Sequence, residues 1–494
     1  MPSKKMNILF CASEALPFIK TGGLADVAGS LPKALNELGN DVTLVIPAYR
    51  SIFDKLSEFK KVGGCDIEAF GQCYTVKLLQ ADIKDAGITA LLVDIPELFD
   101  RPDGPYLAAD GKDWWDNGER FAIFSKVVVE VAMNRVGLKW KADVVHSNDW
   151  QTGLVPALLT LETARPKTIF TIHNMAYQGN FPHSVFESLQ LPSYWWHAEE
   201  GVEFHDNLSM LKAGIMMSDF VTTVSPTYAK EICTTQYAYG FDGVMQKRRA
   251  HGRLSGILNG IDSSFWNPAV DRYITCNYSV TSKPATFKAK NKKSLLLELG
   301  ASEKMAQSKN PLIGFVGRLI DQKGVDLILA VIPDLIAHSD ANFVFVGSGD
   351  ASLELQLRQL AHDCPLRVFV FVGYSEALAH QVEAGSDLFL MPSRFEPCGL
   401  NQMYSLAYGT LPIVHHTGGL ADTVVNATIE NIEANIATGF VLYDPTVFAL
   451  KETIYYALSL YSQKKIWRKI QKKAMKQDFS WEKSAEVYCE LYRL

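Results

Sequence analysis

Eight cysteines are spread through 494 residues with no C-x-x-C pair and no run of His and Cys at metal-ligand spacing. Neither a disulfide framework nor a structural zinc is indicated, and the thiols read as small buried hydrophobes in a reducing compartment. No sign of charge dominates either. Lys+Arg 48 against Asp+Glu 54 leaves a formal net charge of -6, so no global field favours nucleic acid or an anionic membrane surface. No apolar run approaches the length of a membrane span. The N-terminus Met1–Lys5 is basic, but Ile8–Ala12 is a short apolar run followed by Glu14, which does not make a secretory signal. These absences lead to the expectation of a cytoplasmic globular protein with no membrane or nucleic-acid partner.

The length allows two large domains, since single cores stop growing well below this size. Short β-rich runs alternate with helical patterns almost throughout, the signature of parallel βαβ construction. Strands are read at Ile8–Cys11, Val42–Ile46, Thr89–Val93, Val144–His146, Thr168–Ile172 and Phe220–Val224, with helices at Leu24–Leu38, Glu119–Asn134 and Leu208–Met217. A second series of strands runs through Leu312–Val316, Phe343–Val346, Val368–Val372, Leu388–Leu390 and Leu411–Val414. The predicted organisation is a Rossmann-like domain at 1–255, a second at 256–478, and a helix at 479–494 crossing back to the first. Thr281–Lys309, rich in Lys, Ser, Ala and Asn, shows no clear strand and is taken as boundary or hinge. Its lysines, Lys283–Lys293, are a candidate contact for a ligand or a second subunit, whereas Lys464–Lys476 reads as an amphipathic helix with a solvated face.

Thr-Gly-Gly-Leu-Ala-Asp occurs twice, at Thr21–Asp26 and Thr417–Asp422, each time before a helix-like run. Glycines at a helix start let a ligand approach the backbone, and the helix N-terminus offers free N–H groups and partial positive charge. Two such turns suggest two α/β halves facing one cleft, with a phosphorylated ligand and a sugar between them. Lys20 precedes the first turn and can place its charge on a phosphate oxygen. Arg318 and Lys323 flank a loop after the first strand of the second series, where two fixed cations can neutralise a diphosphate leaving group. Glu396, in Ser393-Arg-Phe-Glu-Pro-Cys-Gly-Leu400, follows another strand end and is the first catalytic candidate. Cys398 either lines the site or is an inert packed thiol.

The order and spacing of several motifs resemble the bacterial glycogen synthase and plant starch synthase family. They are Lys20-Thr-Gly-Gly-Leu, Val144-Val-His146 with Asp149-Trp150, His173-Asn174, Ser225-Pro-Thr-Tyr-Ala229, Leu258-Asn-Gly-Ile-Asp262, Gly317-Arg-Leu with Lys323-Gly, Glu396-Pro-Cys-Gly-Leu and the second Thr-Gly-Gly-Leu. The resemblance runs from about Ile8 to Tyr492. It implies an α/β, GT-B architecture of two doubly wound Rossmann-like domains facing an interdomain cleft. It also implies retaining transfer of glucose from ADP-glucose to the non-reducing end of an α-1,4-glucan, with no metal and no cofactor.

Carried over by position, the resemblance makes Glu396, His173, Arg318 and Lys323 the candidate catalytic residues. Lys20, Gly22, Gly23, Arg318, Lys323, Tyr374, Cys398, Gly399, Leu400, Thr417, Gly418 and Gly419 become donor-binding candidates, Tyr374 beside adenine. Tyr106, Asp149, Trp150 and Asn174 fall where donor sugar or acceptor glucan is expected. Three departures stand out. His146-Ser-Asn-Asp-Trp-Gln151 lacks two imidazoles that relatives often carry, Asn401 stands where relatives carry Thr or Ile, and Tyr404 stands eight positions after Glu396, where the wider retaining group often has a second glutamate. With no second carboxylate, a front-face route is expected rather than a covalent glycosyl-enzyme. Another sugar-nucleotide enzyme of the same fold, and a glucan-binding protein without catalysis, are the competing readings.

Overall fold

The structure is a computed structural model that describes residues 5–55, 58–83 and 87–494; of the basic terminus Met1–Lys5, residues 1–4 lie outside the described residues. The chain divides into two compact units, Met1–Gly260 with Trp481–Leu494, and Ile261–Ser480.

The first unit is built on β1 (Asn7–Cys11), β2 (Asp41–Pro47), β3 (Lys60–Ala69), β4 (Gln72–Ile83), β5 (Ile88–Asp94), β6 (Val144–Asn148) and β7 (Lys167–Ile172). Three short strands follow, β8 (Asn180–Pro182), β9 (Glu203–Phe204) and β10 (Asn207–Ser209), then β11 (Phe220–Thr223) and β12 (Leu254–Gly256). The main sheet has the order β12-β11-β7-β6-β1-β2-β5-β4-β3. It is parallel from β12 to β5, with β4 and β3 added antiparallel. Ile8–Cys11 of β1 and the Val144-Val145 start of β6 are apolar and buried because both sheet faces are covered, as parallel crossovers require. Helix Gly23–Glu37 buries Leu24, Val27, Ala28, Leu31 and Leu35 at helical spacing. The adjacent strands β1, β6 and β7 therefore lead at their carboxyl ends into Glu14, Asp149 and His173, the edge where open α/β sheets bind ligands.

Helix Trp481–Arg493 packs on this same unit. Tyr492 OH lies 2.7 Å from Nδ1 of the buried His146, and Lys167 Nζ donates to the Tyr492 carbonyl at 3.0 Å. The chain leaves this unit a few residues beyond 255/256 because β12 still pairs in parallel with β11. It returns at Trp481 rather than at 479.

The second unit carries β13 (Leu312–Val316), β14 (Asn342–Gly347), β15 (Val368–Val372), β16 (Leu388–Met391), β17 (Leu411–His415) and β18 (Phe440–Leu442), in the order β15-β14-β13-β16-β17-β18. Every pairing is parallel. Strand order reverses between β13 and β16, which is the switch point where such sheets open a crevice.

The reading of Thr281–Lys309 as the domain boundary is corrected by the structure, in which the second unit already begins at Ile261. Pro284–Glu298 is a helix within the second unit. Lys288 is buried, its Nζ donating to the carbonyls of Glu383 (3.0 Å) and Ala384 (3.0 Å) and to Thr410 Oγ1 (2.6 Å). Lys292 is paired with Asp387. These two lysines point inward because helix ends and carbonyls of the sheet's crossovers offer them acceptors, a use of Lys that composition does not reveal. Lys464–Ala474 is a helix that buries Trp467, Ile470 and Ala474 and leaves its lysine face outside.

Candidate functional site

In the second unit the loops after β13 and β16 interlock. Arg394 N–H donates to the Gln322 carbonyl (2.8 Å), and Gln322 Nε2 to the Phe395 carbonyl (3.1 Å). The Arg394 guanidinium grips Asp326 through both terminal nitrogens, at 2.8 and 2.7 Å. On this frame Lys323 Nζ donates to Glu396 Oε2 at 2.5 Å, and Ser393 Oγ donates to the same oxygen at 3.0 Å. Glu396 is 6% exposed. A carboxylate taken this far out of water is tolerated because it is paired and hydrogen-bonded. Arg318 is exposed at the same strand end, 3.5 Å from Gln322 Oε1. Tyr374 follows β15, is 73% exposed, and its hydroxyl donates to Glu376.

The glycines of the second repeat have an internal reason. A Cβ at Gly418, whose φ is +42°, would lie 2.0 Å from the Glu396 carbonyl oxygen, and one at Gly419 would lie 2.2 Å from that of Cys398. Gly419 N–H donates to the carbonyls of Glu396 and Pro397, both at 3.2 Å. The turn at Thr417 thus packs backbone to backbone on the Glu396 loop. Cys398 is buried, Gly399 has φ +70°, and Leu400 caps helix Asn401–Tyr408. Asn401 Nδ2 ties that helix to the Val316 carbonyl at 2.7 Å. Tyr404 stacks on Trp266 (ring centroids 3.8 Å, 9°), which stacks on His380 (3.7 Å, 10°). The position of the absent second glutamate is therefore part of an aromatic core.

In the first unit Asp149 adopts φ +56°, ψ 179°, a conformation nearly confined to glycine and worth about 1–3 kcal/mol of strain. Its Oδ1 accepts the His173 N–H at 2.7 Å. Burial pushes the Asp149 carboxyl up to about 7, helped by the charge of Glu14 and opposed by the N–H groups of His173 and Asn174. Asn148 Nδ2 donates to Cys11 and His146 carbonyls, so its Oδ1 is the acceptor for His173 Nε2 at 2.9 Å. That fixes the His173 proton on Nε2, and burial pushes the imidazole down to about 3, hence neutral. Tyr106 OH lies 2.6 Å from Ser13 Oγ. Trp150 packs edge-on against Phe121 (5.1 Å) and beside Phe181 (5.6 Å). Lys20 Nζ pairs with Asp26 Oδ1 at 2.8 Å. Gly22 and Gly23 begin helix Gly23–Glu37, and Asn174 Oδ1 accepts the Ala176 N–H at 3.0 Å.

Ser13, Asp26, Gln322 and Ser393 were given no role of their own in the sequence reading, although Asp26 and Ser393 lie inside quoted motifs and Ser13 and Gln322 within a few residues of one. Among the described residues no group of three or more His, Cys, Asp or Glu is placed to hold a metal ion, and no helix is long and apolar enough to cross a membrane.

The family described as starch synthase catalytic domain matches residues 7–247, and that described as glycosyl transferases group 1 matches residues 301–474. Glycogen synthase of Hydrogenovibrio crunogenus is 59% identical over 99% of both chains, and that of Thioalkalivibrio sulfidiphilus 48% identical over 99% of both. The chain belongs to the glycogen synthase family. It is a glycosyltransferase with the GT-B fold. The catalytic domain of starch synthase IV from Arabidopsis thaliana, solved with ADP and acarbose, is 30% identical with a TM-score of 0.88 over 99% of both chains. A sucrose-phosphate synthase from Thermosynechococcus elongatus, 16% identical with a TM-score of 0.59 over 99% of this chain and 98% of that one, shares the fold.

Proposed function

We propose that the protein is a retaining glucosyltransferase that moves glucose from ADP-glucose to the 4-hydroxyl at the non-reducing end of an α-1,4-glucan, elongating glycogen and releasing ADP. The observation that carries this reading is the Lys323–Glu396 pair, braced by Ser393 beside Arg318 at neighbouring strand ends. The family supplies the substrate class, and the starch synthase structure with ADP and acarbose supports a nucleotide and a glucan as the partners.

The bond from glucose C1 to the β-phosphate oxygen breaks while the acceptor oxygen bonds to C1 on the same face. The acceptor's proton passes to a leaving phosphate oxygen. Arg318 and Lys323 stabilise the growing diphosphate charge, and Glu396 orients the glucose and stabilises its oxocarbenium-like charge. Lys20, Gly22 and Gly23 add donor contacts, as do Tyr374 and the backbone of Cys398–Leu400 and Thr417–Gly419. Neutral His173 meets the anomeric centre, with Tyr106, Asp149, Trp150 and Asn174 on the sugar and acceptor side. In this reading no metal or cofactor takes part, and the reaction occurs in the cytoplasm.

The test is incubation of the purified protein with glycogen and labelled ADP-glucose or UDP-glucose, with and without a chelator, counting label in precipitated glucan. The expected result is chelator-insensitive transfer chiefly from ADP-glucose, lost in Arg318→Ala. Preference for UDP-glucose overturns the donor assignment, and no transfer from either overturns the activity.

A further inference from the structure

Glu14 stands in the turn that leaves β1, 4% exposed. Its Oε2 accepts three hydrogen bonds from the loop that follows: from Thr21 N–H at 2.5 Å, Thr21 O–H at 2.9 Å and Gly22 N–H at 3.2 Å. Burial raises its carboxyl and these three bonds lower it, while Asp26 adds repulsion. Lys20, the cation nearest in sequence, goes to Asp26 instead. The two amides that a glycine turn would offer to an external anion are thus filled by the chain's own carboxylate.

The glycines of this copy of the repeat differ from those of the second. Neither Gly22 nor Gly23 has a positive φ. A Cβ at Gly23 would meet nothing within 4 Å, and one at Gly22 would have Glu14 Oε1 at an ordinary 3.9 Å. The glycine pair of the same hexapeptide is therefore demanded by backbone packing at Gly418 and Gly419, whereas at Gly22 and Gly23 neither space nor conformation within the fold demands glycine. A glycine kept bare without such a reason leaves room for something that approaches from outside.

We infer that Glu14 is a positioning residue: by taking the inward-facing donors of Thr21 and Gly22 it fixes the Lys20–Gly23 loop in place, so that the bare outer face at Gly23 meets the nucleotide-sugar donor. The inference rests on the proposed reading of that loop as a donor contact. It assigns Thr21 and Gly22 N–H to Glu14 rather than to phosphate, and leaves Lys20 and the open side of Gly23 to the ligand. Because all three donors converge on one oxygen, a glutamine that places its carbonyl there preserves the arrangement, whereas alanine leaves the donors without it.

The experiment combines amide hydrogen exchange over residues 14–24 of the full-length protein with kinetics of labelled-glucan formation for Glu14→Ala, Glu14→Gln and Gly23→Ala. Glu14→Ala is expected to speed exchange at Thr21 and Gly22 about tenfold and to raise KM for ADP-glucose about tenfold, with KM for glycogen within about twofold. Glu14→Gln is expected to restore both readouts to within about threefold of wild type. Gly23→Ala is expected to leave exchange unchanged while raising KM for ADP-glucose. Unchanged exchange in Glu14→Ala overturns the clamp, as does Glu14→Gln behaving like Glu14→Ala, or both KM values moving together with a fall in thermal midpoint. Faster exchange with an unchanged ADP-glucose KM overturns the donor part alone. A wild type inactive with ADP-glucose overturns the proposed function, and the exchange arm then still decides the clamp.

Discussion

Lys323 Nζ lies 2.5 Å from Glu396 Oε2, a pair drawn from loops that follow two neighbouring strands, β13 and β16, at the point where strand order reverses. Neither group is isolated: Ser393 holds the same oxygen, and Gln322 braces the Phe395 carbonyl one residue away. The cation and the carboxylate therefore act as a unit. Lys323→Ala is expected to lower kcat/KM about 10²-fold or more, on the order of 3 kcal/mol. Lys323→Ala combined with Glu396→Gln should cost little more than the worse single change, because either one already breaks the pair. Fully additive losses in steady-state kinetics would show that the two act separately.

Asp149 predicts a stability effect whose sign can be worked out. Its carboxyl is pushed up to about 7 from 3.8, so between those values the folded state binds more protons than the unfolded one. Its contribution is present at acid pH and is lost as pH rises toward 7. His173 acts in the opposite direction, since its imidazole is pushed down to about 3 from 6.5 and stability from that group grows with pH across the interval. Comparison with Asp149→Asn isolates the carboxyl. The variant is expected to gain thermal midpoint over wild type as pH is raised from 4 to 8, measured by calorimetry; a constant difference across that range would remove Asp149 from the titration.

The parallel strands at the centre of both sheets were legible because both faces are covered and the runs are apolar, as in Phe343–Val346. The ribbon β3–β4 was missed. Gln72–Ile83 does alternate, with Tyr74, Val76 and Leu78 buried between exposed Cys73, Thr75 and Lys77, but its partner begins Lys-Lys-Val-Gly-Gly and carries a register shift between Lys61 and Gly63. The strand-end placement of the candidate residues Glu396 and His173 was legible from their motifs. What sequence could not reveal was the pairing within the candidate site. Lys20 goes to Asp26 and the Thr21 turn to Glu14, choices set by which carboxylate the fold delivers to each donor.

Lys288 tests the corrected reading of the Lys-rich stretch. Its ammonium satisfies three buried oxygens, and burial pushes it down to about 7. Lys288→Ala removes three buried hydrogen bonds, of whose acceptors the Glu383 carbonyl keeps the Thr410 hydroxyl as a donor, at on the order of 3 kcal/mol. The exposed Lys290 nearby has no such role. Lys288→Ala is expected to lower the urea midpoint of the second unit, followed by exchange on its β16–β17 peptides, while Lys290→Ala leaves it unchanged and neither alters glucan KM. A glucan effect confined to Lys290→Ala would restore a surface role for the stretch.

Gly418 bears on the difference between the two copies of the repeat. Its Cβ would fall 2.0 Å from the Glu396 carbonyl oxygen, backbone that no side-chain rotation can move, and its φ of +42° is already unfavourable for alanine. Gly418→Ala must push the Glu396 loop away or strain the start of the following helix. Either displaces a carboxylate whose partner, Lys323, sits on a separate loop. The expected outcome is loss of transfer activity of about 10²-fold or more, together with faster amide exchange over residues 393–400 in the variant. Gly418→Ala with wild-type exchange there and wild-type activity would mean that the two loops yield without cost, and the close approach would then explain nothing about why glycine stands at this position.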